Sequence, residues 1–158
     1  MLVWLLMSCV NSCGGGTPPS EVSFGSSEVV SLSTDFYANK GRADLEPEKA
    51  FVVRDICPTI TKATLDPDRD SSFAKLRVEG RGLDRVATLG AVIEDGSTAD
   101  SILHPEGDAA FTAAVGCHNC RLQLGFEYEG TWVACIGPGH SLEIERGLLV
   151  QTQGAATP

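Results

Sequence analysis

Hydrophobic and polar positions alternate with period two in several stretches of this chain, the pattern of strands with one buried face. The clearest case is 120–128, where Cys120, Leu122, Leu124, Phe126 and Tyr128 alternate with Arg121, Gln123, Gly125 and Glu127. After Glu129-Gly130 the run 131–136 follows, so a two-residue loop predicts a hairpin with Tyr128 opposite Thr131, Phe126 opposite Val133 and Leu124 opposite Cys135. That register points Val133 and Cys135 inward with the apolar set, and leaves Arg121, Gln123 and Glu127 on the solvent face beside Trp132. In 73–79, Ala74, Leu76 and Val78 form the buried set, and Gly80-Arg81-Gly82 breaks the strand. Further strands are expected at 86–93, 101–103, 109–115 and 141–145, with a turn at Glu94-Asp95-Gly96-Ser97. The β-branched run 51–57, ending before Pro58, reads as another strand, and a first one is allowed at 28–32.

Short strands at regular spacing, turn residues between them and no amphipathic helix argue for an all-β fold, an immunoglobulin-like antiparallel β-sandwich. The boundaries are an N-terminal export segment at 1–13, a Gly/Ser/Pro-rich linker at 14–33, the sandwich at 34–150 and a polar tail at 151–158. With 158 residues there is room for a single core, and 42% hydrophobic residues is enough to fill it.

The start of the chain changes the picture from fold to location. Residues 2–7 are an apolar run, and no charged side chain precedes Glu21. The run is too short for a spanning helix, which needs about 20 residues, but suits the hydrophobic part of an export signal. Leu6-Met7-Ser8-Cys9 and Val10-Asn11-Ser12-Cys13-Gly14-Gly15-Gly16 resemble the lipobox of bacterial lipoproteins. That resemblance implies cleavage before a cysteine that receives lipid, then a flexible tether. Leu6 and Ser8 favour Cys9; the Gly-rich tether and the cysteine count favour Cys13, which is preferred here. The expected location is the cell envelope, outside the cytoplasm, with a membrane partner reached through the N-terminal lipid.

A second resemblance covers 58–83. Pro58-Thr59-Ile60, Pro67 and the alternating strand that ends in Gly80-Arg81-Gly82-Leu83 look like the opening of IPT/TIG domains, immunoglobulin-like modules of surface proteins. The match implies a sandwich that presents loops to a partner.

Charge excludes one class of partner. The formal net charge is −9, and the cationic residues are scattered, with no basic stripe for nucleic acid.

The chain has six cysteines. With Cys9 and Cys13 assigned to the leader, Cys57, Cys117, Cys120 and Cys135 remain, an even set that in an exported chain reads as disulfides. Of three connectivities, Cys57–Cys135 with Cys117–Cys120 is favoured, because Cys57 ends one buried strand and Cys135 faces inward on another.

Cys117-His118-Asn119-Cys120 also has the spacing of a redox pair or half a zinc site. Thioredoxin-type chemistry needs a helix after the second cysteine, and 121–128 alternates as a strand. Haem attachment fails because Arg121 follows Cys120. Structural zinc sites usually have two close pairs, and only one is present.

Asp66, Asp68 and Asp70 alternate as in a calcium loop, but the central Gly is missing and Arg69 intrudes. His104, His118 and His140 come without a nucleophile elbow or a zinc-protease helix. No catalytic residue, metal ligand or cofactor is therefore assigned, and the protein is read as a non-enzyme. The sequence points to a lipid-anchored binding or scaffolding sandwich with a protein or glycan partner. Its rivals are a secreted thiol or metal enzyme built on 117–120, and a carbohydrate-binding module that uses an exposed Trp132.

Overall fold

The computed structural model describes residues 16–25, 31–33, 52, 55–68, 71–128 and 131–151. Among these residues the regular structure is almost wholly β. The strands are β1 (Ser20–Ser23), β2 (Ser31–Ser33), β3 (Thr59–Pro67), β4 (Ala74–Arg81), β5 (Thr88–Ile93), β6 (Thr98–Ser101), β7 (Leu103–Pro105), β8 (Ala110–Val115), β9 (Cys120–Tyr128), β10 (Thr131–Ile136), β11 (Ser141–Glu145) and β12 (Leu148–Val150). A 3-10 turn at Leu83–Arg85 joins β4 to β5. No helix among the described residues is long and apolar enough to cross a membrane.

Two antiparallel sheets make the expected sandwich. One runs β1-β3-β4-β8-β7. The other is built around β9, which carries β5 and then β6 on one edge; on its opposite edge β11 pairs with Cys120–Gln123, and β10 with Gly125–Tyr128. The alternating residues face each other across the gap. Ala63, Leu65, Leu76, Val78, Phe111 and Val115 of the first sheet meet Leu89, Leu122, Leu124, Leu142 and Ile144 of the second in one cluster. Each fully buried aliphatic or aromatic side chain contributes roughly 1.5–3 kcal/mol.

Tyr128 pairs with Thr131 and Phe126 with Val133, as the two-residue loop requires. The ladder then ends at Ala134↔Gly125, so Leu124 is not opposite Cys135. Cys135 pairs with Leu32 of β2, and the Leu124 N–H donates to the carbonyl of His140. The reason is the turn at 137–140, where the chain leaves the β10 edge and re-enters the same side of β9 as β11. Gln123 fills the gap. Its Nε2 donates to the carbonyls of Cys135 (2.9 Å) and His140 (3.0 Å), and it is buried rather than on a solvent face.

Three further expectations change. Ser20–Ser23, inside the stretch read as linker, pairs with 62–65 of β3; one inward residue, Val22, is too little to register as periodicity. Val52, Asp55 and Ile56 are helical, because a short apolar run is equally compatible with helix and strand until packing decides. The run 101–103 divides at Ile102, where the chain passes from one sheet to the other. The positions of Cys9, Cys13 and the tail at 152–158 lie outside the described residues.

Candidate functional site

At the corner where β6 hands over to β7, the two sheets separate enough to leave an open cleft. Its volume is about 430 Å³. Ala91 and Ile93 of β5 and Val115 of β8 reach its floor, while Phe73, Ala99 and Cys117 supply further apolar wall. Phe73 stays half exposed because its ring lies over Gly116, where a Cβ would come within 2.8 Å of the ring edge. Ile102 stands beside the cleft and is 78% exposed. Asp100, Ser101 and His104 provide the polar groups. A concave, largely apolar surface with a few polar groups is the usual composition of a ligand site.

Cys117–Cys120 forms one boundary of this cleft. The two sulfurs are 2.01 Å apart, and Cys57 and Cys135 form a second pair at 2.10 Å. Cys117 is half-buried and lines the cleft, whereas Cys120 is buried in the core and lines a shallow depression of about 260 Å³ on the other side of the loop. The loop is also held from outside. The Arg146 N–H donates to Asn119 Oδ1 (2.8 Å), the Gly147 N–H to the His118 carbonyl (2.8 Å), and Asn119 Nδ2 to Glu94 (3.2 Å).

The histidines do not assemble. His118 is exposed in the 117–120 loop, and His104 is exposed on β7. His140 is buried, its Nε2 2.6 Å from the Pro58 carbonyl. Burial holds its pKa below the ordinary histidine value, and the carbonyls of Pro58, Gly137 and Pro138 oppose that shift. Among the described residues no three His, Cys, Asp or Glu side chains converge as metal ligands. Asp66 sits across from Lys75 on β4, and the remainder of the calcium-like stretch includes residues outside those described.

Trp132 lies on β10 with Glu127 as its cross-strand partner; its side chain is outside what is described. The residues quoted for the IPT/TIG resemblance fall on β3 and β4, at Pro58 just before them and in the turn after them, with Pro58 and Leu83 buried. The cleft itself was missed from sequence, because its lining comes from β5, β6, β8 and the loops at Phe73 and Cys117. No local signal marked it, since Ile102 is followed directly by Leu103 and the pair reads as part of an ordinary strand.

No family model matches the chain, and neither a curated protein nor a solved structure is similar to it.

Proposed function

We propose that this protein is exported, held in the cell envelope through lipid on Cys13, and uses an immunoglobulin-like sandwich to bind a small apolar ligand in the cleft rather than to catalyse a reaction. The cleft carries the binding part of this reading: about 430 Å³, open to solvent, with an apolar lining that includes Phe73, Ile93 and Val115. That volume lies within the range of roughly 300–1,000 Å³ common for ligand pockets. The envelope part is supported by the lipobox-like residues around Cys9 and Cys13, and by four cysteines at disulfide distance, a state that persists in oxidising compartments. The IPT/TIG-like stretch at 58–83 is in keeping with a surface module.

The test of binding is a fluorescence titration with N-phenyl-1-naphthylamine, a neutral apolar probe. Ala99 is exposed on β6 and lines the cleft, so Ala99→Phe fills the space without entering the core. Saturable binding of one probe per chain, weakened about tenfold by the substitution, is expected, equivalent to about 1.4 kcal/mol. Non-saturable binding, or the same affinity in both proteins, would remove the cleft as a site.

A further inference from the structure

We infer that the cleft selects an uncharged ligand, a hydrocarbon-like molecule with one hydroxyl or carbonyl oxygen, and that Ser101 is the residue that recognises this oxygen. This specificity rests on the cleft being a binding site and adds the class of molecule it takes.

The pleat decides which side chains a ligand between the sheets meets, because successive residues of a strand point to opposite faces. On β6, Ala99 lies opposite Ala91 and Ser101 opposite Leu89, and both Ala91 and Leu89 belong to the core cluster. Ala99 and Ser101 are therefore on the inward face of the second sheet. Asp100, between them, lies opposite Gly90 and shares the outward face with Val92 and its cross-strand neighbour Arg121. On β7 the same alternation sets His104 opposite Thr112, on the face of Arg77, whereas Leu103 lies opposite Ala113 of the core. Of the three polar residues at the cleft, only Ser101 is thus on an inward face. Asp100 and His104 are exposed, and Ser101 is half-buried.

The inward positions of β5, β6 and β8 at the cleft are Ala91, Ile93, Ala99, Ser101 and Val115, a set without a charge. None of them can pair with a carboxylate or an ammonium. Taking an ion out of water without a partner costs several kcal/mol, and an uncharged oxygen costs far less once it is hydrogen-bonded. Ser101 supplies that bond. Its hydroxyl makes no hydrogen bond among the described residues, and a hydroxyl serves equally as donor to a carbonyl or as partner to an alcohol. The net charge of −9 repels a carboxylate and attracts an ammonium, so the field of the whole chain cannot disfavour both, whereas loss of hydration acts on both alike.

The test is displacement of N-phenyl-1-naphthylamine by octanol, octanoate and octylammonium, three heads on one chain length, at neutral pH and below micelle-forming concentrations. Inhibition constants are corrected for the affinity of the probe in each protein. Octanol should act at about a tenfold lower concentration than either ion. Ser101→Ala should weaken octanol about fivefold, the loss of one hydrogen bond, and leave both ions unchanged. An ion of either sign that binds better than octanol would show that charge governs the cleft, and equal displacement by all three would place every head in water. Either result overturns the uncharged class while leaving the cleft as a site. Unchanged octanol binding by Ser101→Ala would remove the role of Ser101. Failure of the probe itself to bind saturably would remove the cleft, and its specificity with it.

Discussion

The Nε2 nitrogen of His140 lies 2.6 Å from the carbonyl oxygen of Pro58, so the turn between β10 and β11 is hydrogen-bonded to the residue that follows Cys57. The Cys57–Cys135 bond joins the same two parts of the chain. A covalent and a polar link thus act side by side where the second sheet meets the start of the first.

His140 makes this end sensitive to acid. Nε2–H donates to Pro58, while Nδ1 is buried without a hydrogen-bond partner, so a second proton would place a cation in a buried site. Its folded pKa is depressed below 6.5, chiefly by burial. The unfolded chain therefore binds the proton first, and stability present above 6.5 is lost as pH falls from there toward the folded pKa. Urea unfolding between about pH 7.5 and 5 should show a falling midpoint, and His140→Gln should flatten that slope. The same slope in both proteins would assign the effect elsewhere.

Gly139 tests the packing of the same turn. It has φ +79°, and a Cβ there would lie 2.6 Å from Ile60 Cβ and 2.9 Å from the Phe24 ring. Gly139→Ala should cost about 2–4 kcal/mol from backbone strain and overpacking together. Gly107 has φ +73° with nothing within 4 Å, so Gly107→Ala should cost only the backbone part, about 1–2 kcal/mol. Equal losses in denaturant unfolding would show that the turn is not tightly packed on Ile60.

Gln123→Leu removes the amide that serves Cys135 and His140 where the β9 ladder changes partner. Leaving a buried carbonyl short of a donor costs about 1–3 kcal/mol. Chemical denaturation of the variant should show a loss in that range, and a neutral result would mean that the gap is filled in another way.

The two sulfur pairs should differ in what they add to stability. Loop closure gives about 4–5 kcal/mol for Cys57–Cys135 and about 1.5–2 kcal/mol for Cys117–Cys120. Urea midpoints of the paired variants Cys57→Ser/Cys135→Ser and Cys117→Ser/Cys120→Ser measure this. The reverse ranking would contradict the bracing role given to the long-range bond.

What could be read from the sequence was whatever local chemistry dictates. Glu129-Gly130 between two alternating runs set the register of Tyr128 and Phe126, and the alternation of Leu76 and Val78 set the inward face of β4. The cysteine pairs at disulfide distance are also the two favoured from sequence, although Cys57 follows a helical stretch rather than ending a strand. What was hidden depended on partners distant in sequence. A bulge between Ile60 and Lys62 breaks the alternation of β3, so a nine-residue central strand carried no clean period. Gln123 looked solvent-facing because nothing nearby in sequence announces that the 137–140 turn closes over it. The cleft depends on the divergence of two sheets at Ile102, which no local pattern encodes.

Export followed by oxidation is the claim on which the functional reading rests, and intact-mass analysis of the full chain, expressed with its own N-terminus and purified without reductant, tests it most directly. The account predicts a polypeptide that begins at lipid-bearing Cys13, with Cys57, Cys117, Cys120 and Cys135 all resistant to thiol-blocking reagents. A polypeptide that retains Met1 and carries free thiols at those positions would contradict it.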